Sequence, residues 1–168
     1  MVVNYTKLMN DMLKDFNKGA KCKTRYMIDN TDDTYIYICL NGHYVLSIPR
    51  CVWLLDTEKI LNQGACSDHN HCFTSLNITN MIKNTNMLDT KNYSFGLHTS
   101  VDKKKVAVFV TEEGGDDIWI NDDFFKYLNI DLYNVEKDVI FSGSNKKAPL
   151  IIHDRNYFVG ILLPINHD

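Results

Sequence analysis

Asn41-Gly42 stands between two runs in which apolar residues dominate, 34–40 and 43–48. Both residues tolerate the positive φ of a type I′ turn, so the pair predicts a two-residue hairpin and makes the flanking runs antiparallel neighbours. A third run, 24–29, lies upstream across Asn30, Thr31, Asp32 and Asp33, which extends the expected hairpin to three strands. Cys39 alternates with Tyr35 and Tyr37 and reads as a small buried hydrophobe. Ahead of the strands, Tyr5, Leu8, Met9, Met12, Leu13 and Phe16 recur at helical spacing on one face, and Gly19 supplies the stop. Pro49 closes this first group of elements.

The far end repeats the order. Asn121 reads as the N-cap of a short helix, with Asp122 and Asp123 at the positive end of its dipole and Phe124, Phe125 and Leu128 facing inward. A strand at 118–120 precedes it, and strands at 139–142, 149–153 and 157–163 follow. Between the two groups, residues 51–113 predict a short helix at 57–61, a helical patch around Ile78, Met81 and Ile82, and strands at 93–99 and 105–110. The expected fold is α+β and rich in antiparallel sheet: two helix-plus-three-strand units with a metal-binding insertion between them. The 168 residues, 45% of them apolar or aromatic, are enough for one core. They are read as a single domain, with a first unit at 1–50, an insertion at 51–113 and a second unit at 114–168.

The strand and helix of 118–128, with the closing hairpin of 148–164, resemble the half-domain of sliding DNA clamps, in which a strand-helix-strand-strand-strand unit recurs about a pseudo-twofold axis. Residues 1–50 share its helix-and-three-strands order. The resemblance implies a clamp-like replication accessory that embraces DNA. The chain departs from the family at Asp122 and Asp123, where clamps carry basic helices, and fold alone does not fix function.

Residues 66–72 read Cys-Ser-Asp-His-Asn-His-Cys, the one concentration of soft metal donors in the chain. Thiolate and imidazole are the preferred donors of tetrahedral Zn(II). Cys66, His69, His71 and Cys72 are the candidate ligands. Because adjacent His71 and Cys72 crowd one ion, Cys51 is the expected remote ligand. Structural zinc would fasten a polar segment with too few apolar residues to fold alone. With no His-Glu-x-x-His, no nucleophile elbow and no phosphate-binding glycine loop, nothing marks this chain as an enzyme.

Residues 111–123 carry six acids and no base. Glu112, Glu113, Asp116 and Asp117, with Trp119 as an apolar anchor, form a candidate surface for the basic groove of a protein partner. The whole chain has 21 acids against 18 bases, a net charge of −3. That balance argues against direct nucleic-acid binding, which rests on neutralising phosphates. Five cysteines, an odd number, argue against a disulfide framework. Neither a basic leader with an apolar core nor an apolar run of membrane-spanning length occurs, so the expectation is a cytoplasmic protein that does not enter membranes.

Frequent Asn, Lys, Ile and Tyr point to an AT-rich coding genome, such as that of a low-GC bacterium or its phage. In overall character the chain resembles small phage accessory and counter-defence proteins of the anti-CRISPR type. The expected function is therefore a non-enzymatic, zinc-containing inhibitor or regulator. It would occupy the surface of a CRISPR nuclease or another nucleic-acid enzyme.

Overall fold

The computed structural model describes residues 2–65, 72–85 and 90–165. The fold is α+β, with three α-helices and ten strands among the described residues. The chain divides into two compact units, Val3–Met87 and Met1–Val2 with Leu88–Asp168. This division falls inside residues 51–113, which the sequence sets apart as an insertion. The helices and short strand of the earlier part of that stretch pack with the first unit, and its two long strands pack with the second.

The first unit opens with α1 (Tyr5–Lys18), capped by the Asn4 side chain, which accepts the Lys7 N–H at 3.0 Å. Gly19, at φ 58°, ends it in a conformation that costs glycine little. Leu8, Met9 and Met12 are buried as the spacing predicts, whereas Leu13, at the flank of the stripe, is 42% exposed. Asp15 on the inner face accepts the Tyr26 hydroxyl at 2.7 Å and pairs with Lys18. Tyr26 stacks on Phe73 at 5.0 Å, and Phe16 meets Phe73 edge-on at 5.5 Å. Aromatic burial of this kind ties α1 to the sheet.

The strands β1 (Tyr26–Asp29), β2 (Tyr35–Leu40) and β3 (Tyr44–Pro49) form the expected antiparallel meander. Asn41 and Gly42 both take positive φ, 54° and 75°. Leu40 nevertheless opposes Tyr44, so the connection spans three residues and not two. The turn is closed by the His43 N–H, which donates to the Leu40 carbonyl at 3.0 Å. It is tied to its neighbour, since Arg25 N–H donates to the Asn41 side chain at 2.7 Å and Asn41 N–H to the Arg25 carbonyl at 2.8 Å. Cys39 is buried, as its alternation predicts.

After α2 (Thr57–Ala65), a strand the sequence does not announce, β4 (Phe73–Ser75), pairs in parallel with β1, Tyr26 opposite Phe73. The strand order within this unit is β4-β1-β2-β3. Helix α3 (Ile78–Thr85) follows and buries Ile78 and Ile82.

The second unit is an antiparallel sheet of β5 (Lys91–Val101), β6 (Lys104–Val110), β7 (Ile118–Asn121), β8 (Val139–Gly143), β9 (Leu150–Asp154) and β10 (Tyr157–Leu162), in the order β10-β9-β8-β5-β6-β7. Long β5 pairs with β8 through its first residues and with β6 through the rest. Asn121 does cap a helix, accepting the Asp123 N–H at 3.1 Å, but residues Asp122–Tyr127 wind as a 3₁₀ helix. Phe124, Phe125 and Tyr127 are all buried, and Phe125 stacks on Phe109 of β6 at 5.9 Å. No helix among the described residues is long and apolar enough to cross a membrane.

Candidate functional site

Three of the proposed metal donors, Cys66, His69 and His71, lie outside the described residues. The other two, Cys72 and Cys51, are described and lie far apart. Cys72 immediately precedes β4, at the end of the first-unit sheet where Tyr26 opposes Leu40 and Leu40 opposes Tyr44. Cys51 follows Pro49, which ends β3 at the opposite end, across from Tyr35. β4 and β3 are the outermost strands of this unit, three spacings apart, or about 14 Å, and Tyr44 to Pro49 adds about 17 Å along the strands. Sulfurs on one zinc each lie about 2.3 Å from it. One ion therefore cannot take both Cys72 and Cys51 in this fold.

Cys22 is the thiol that does lie beside Cys72. It follows the 3₁₀ turn Gly19–Lys21, four residues before β1. The Cys72 thiol donates to the Cys22 carbonyl at 3.3 Å, and the Cys22 thiol donates to the Thr24 carbonyl at 3.3 Å. Both are buried, while Cys51 is exposed. Burial pushes the Cys22 thiol up to about 11, partly offset by the Thr24 hydrogen bond and reinforced by the Asp15 charge and by Cys72. Among the described residues, no three His, Cys, Asp or Glu side chains converge as a metal site.

The acidic stretch joins β6 to β7. Gly114 N–H donates to the Thr111 carbonyl at 3.1 Å, and Gly114 and Gly115 take φ 72° and 93°, so this turn depends on glycine. Glu112 and Glu113 are exposed, and Asp116 and Asp117 half-buried. Asp116 pairs with Lys91 at 3.7 Å, and among the described residues no cation pairs with Glu112, Glu113 or Asp117. Lys91, Asn92, Thr111, Glu112 and Glu113 line an open hollow of about 250 Å³. Burial, and then the charges of Asp116 and Asp117, raise the pKa of the Tyr93 phenol nearby. Trp119 is half-buried on β7, and its carbonyl accepts the Ile165 N–H at 2.8 Å.

A cluster that sequence spacing does not announce lies at the other end of β6 and β7. A register shift between Phe95 and Leu97 inserts Gly96 as a bulge. That extra residue puts Phe95 and His98 on one face, where simple alternation would oppose them. Their rings lie 4.8 Å apart, and both pack against Tyr133. His98 Nε2 is 2.8 Å from Asp122 Oδ1 and His98 Nδ1 is 3.0 Å from the Tyr133 hydroxyl. The carboxylate only accepts, so neutral His98 donates from Nε2 and accepts the Tyr133 proton at Nδ1. Lys105 adds a cation 3.2 Å from Asp122 Oδ2.

This Asp122-His98-Tyr133 chain of hydrogen bonds fastens the loop of Tyr133 to β5. His98→Ala is expected to lower stability by about 1–2 kcal/mol. A urea midpoint for the variant checks this, and an unchanged midpoint contradicts it.

The sequence matches no protein-family model, no curated protein and no solved structure.

Proposed function

We propose that this chain is a non-enzymatic binding protein that occupies a basic, nucleic-acid-binding surface of a bacterial enzyme, as a phage-encoded inhibitor of the anti-CRISPR type would. The observation that carries this reading is the β6–β7 turn. Three carboxylates that no cation pairs with among the described residues belong to a glycine-built loop beside a hollow, and a basic groove evolved for phosphates is complementary to that arrangement. Trp119, close behind the turn, would add apolar area to the contact. Zinc held by the Cys66 to Cys72 stretch would have a structural role, and the partner would be a CRISPR nuclease or a related nucleic-acid enzyme.

The quadruple change E112K/E113K/D116K/D117K tests the surface. The wild-type chain, immobilised, should retain a nucleic-acid enzyme from a low-GC bacterial lysate and block that enzyme's binding to nucleic acid. The reversed variant should do neither. A complex that survives the reversal contradicts this use of the loop. Self-association into a ring with salt-dependent DNA affinity would favour the clamp-like alternative instead.

A further inference from the structure

We infer that Tyr133 is a nucleophilic tyrosine, with His98 as its base, that accepts a phosphoryl group from a donor carrying a good leaving group. The inference does not depend on the β6–β7 loop, because this cluster lies at the other end of those strands.

Leu132 is buried and Tyr133 beside it is 71% exposed, so the loop seats one residue and presents the next. Asp131 fixes the backbone there: its carboxylate accepts the Tyr133 N–H and the Asn134 side-chain amide, each at 3.0 Å. A tyrosine used only for packing would bury its ring. This ring instead stands on edge against Phe95, 5.0 Å away, and its hydroxyl is 3.0 Å from His98 Nδ1. Asp122 takes the Nε2 proton at 2.8 Å, which leaves the Nδ1 lone pair facing the phenol.

A nucleophile, a base within hydrogen-bonding reach and a third group that orients the base are the parts that a nucleophilic displacement needs. Tyr133 Oη forms a bond to phosphorus while the bond from phosphorus to the leaving group breaks. The phenol proton passes to His98 Nδ1, and the leaving group departs with its electron pair. The imidazolium, stabilised by Asp122, then gives the proton to solvent, so the step needs no oxidant or reductant. Lys105 lies two residues from Ala107, the strand partner of His98, and so shares its face. Its ammonium, 3.2 Å from Asp122, is a cation that suits a phosphoryl group better than an uncharged acyl group.

Diisopropyl fluorophosphate, with fluoride as leaving group, is the probe, and peptide mass spectrometry of the full-length chain reads the rate at each tyrosine. Tyr157, 62% exposed, is the comparison within the same molecule. Tyr133 should be modified at least about 100-fold faster than Tyr157, the lower end of what a positioned base contributes. His98→Ala, folded by far-ultraviolet circular dichroism, should lose most of that advantage, and so should Asp122→Asn. Free imidazole should restore modification of Tyr133 in His98→Ala and leave Tyr157 unchanged, a response that loss of a purely structural histidine does not give.

Equal rates at Tyr133 and Tyr157 in the wild-type chain overturn the inference. A folded His98→Ala chain that keeps the wild-type rate, or whose loss imidazole does not restore, overturns it as well. Should His98→Ala not fold, Asp122→Asn decides, and an unchanged Tyr133 rate in that variant counts against the base.

Discussion

Asp29→Ala is expected to destabilise the first unit by about 3–4 kcal/mol, because one buried carboxylate organises two separate connections there. Asp29 is 2% exposed. Its Oδ1 accepts the Thr31 N–H at 3.0 Å and the Thr31 hydroxyl at 2.6 Å, which shapes the β1–β2 turn. Its Oδ2 accepts the Thr79 N–H at 2.8 Å and the Thr79 hydroxyl at 3.0 Å, which satisfies the first turn of α3. Alanine removes all four bonds at once and leaves two main-chain donors without an acceptor. Asp29→Asn is not expected to rescue the loss, since the amide turns one acceptor into a donor that faces other donors.

The chain's two tryptophans fall one in each unit, Trp53 in the first and Trp119 in the second. A Trp119→Phe background therefore reads the first unit alone, by the shift of its urea midpoint. A loss below about 1 kcal/mol would contradict the assignment.

The same carboxylate sets an acid limit. Burial alone would raise its pKa, but the four bonds from Thr31 and Thr79 outweigh burial and lower it from 3.8 to about 2. A depressed folded-state value means that the stabilisation is complete above pH 3.8 and disappears as pH falls toward 2. Its size is about 2 kcal/mol, and Asp29→Ala should lack this part of the acid transition.

The parts of the fold that the sequence discloses are those governed by residues a few positions apart. The apolar stripe from Tyr5 to Phe16 and the stop at Gly19 mark α1, and the Asn41-Gly42 turn needs only its own φ preferences. Even there, a distant residue takes part, since Arg25 N–H donates to the Asn41 side chain. β4 has three residues, too few for a period, and its partner β1 lies more than 40 residues upstream. Nothing local announces such a strand.

The candidate sites divide in the same way. The acids of the β6–β7 loop are contiguous and visible. Cys22 and Cys72 meet only because parallel pairing joins them, and His98 reaches residues 24 and 35 positions away by means of a bulge at Gly96. A glycine within an alternating strand is the one local sign of that bulge. Cys51 is near the heptad in sequence, and only the strand order sets it far from Cys72.

Phe109→Ala should have the largest effect in the second unit, about 3–5 kcal/mol, because this ring is the point where its sheet and its 3₁₀ helix meet. Phe109 is fully buried, 4.8 Å from the Phe141 ring, 5.9 Å from Phe125 and 6.0 Å from Phe95. Its neighbours come from β5, β8 and the 3₁₀ helix, and the main chain of none can close independently on the space left behind, so most of the cavity should persist. Phe109→Leu, which keeps much of the volume, should lose clearly less. Leu97→Ala, on the same sheet but 53% exposed, should change stability little and serves as the control. Trp119 fluorescence in a Trp53→Phe background reads these midpoints, and a Phe109→Ala loss no larger than that of Leu97→Ala would contradict the packing argument. The substitution also bears on function. Phe109 stands two residues before Thr111, so loosening its packing frees the strand end from which Glu112 and Glu113 project. On the reading proposed for this loop, a folded Phe109→Ala chain should occupy a basic partner surface more weakly with every acid still in place, because the loop would act through a fixed arrangement of charge and not through charge alone.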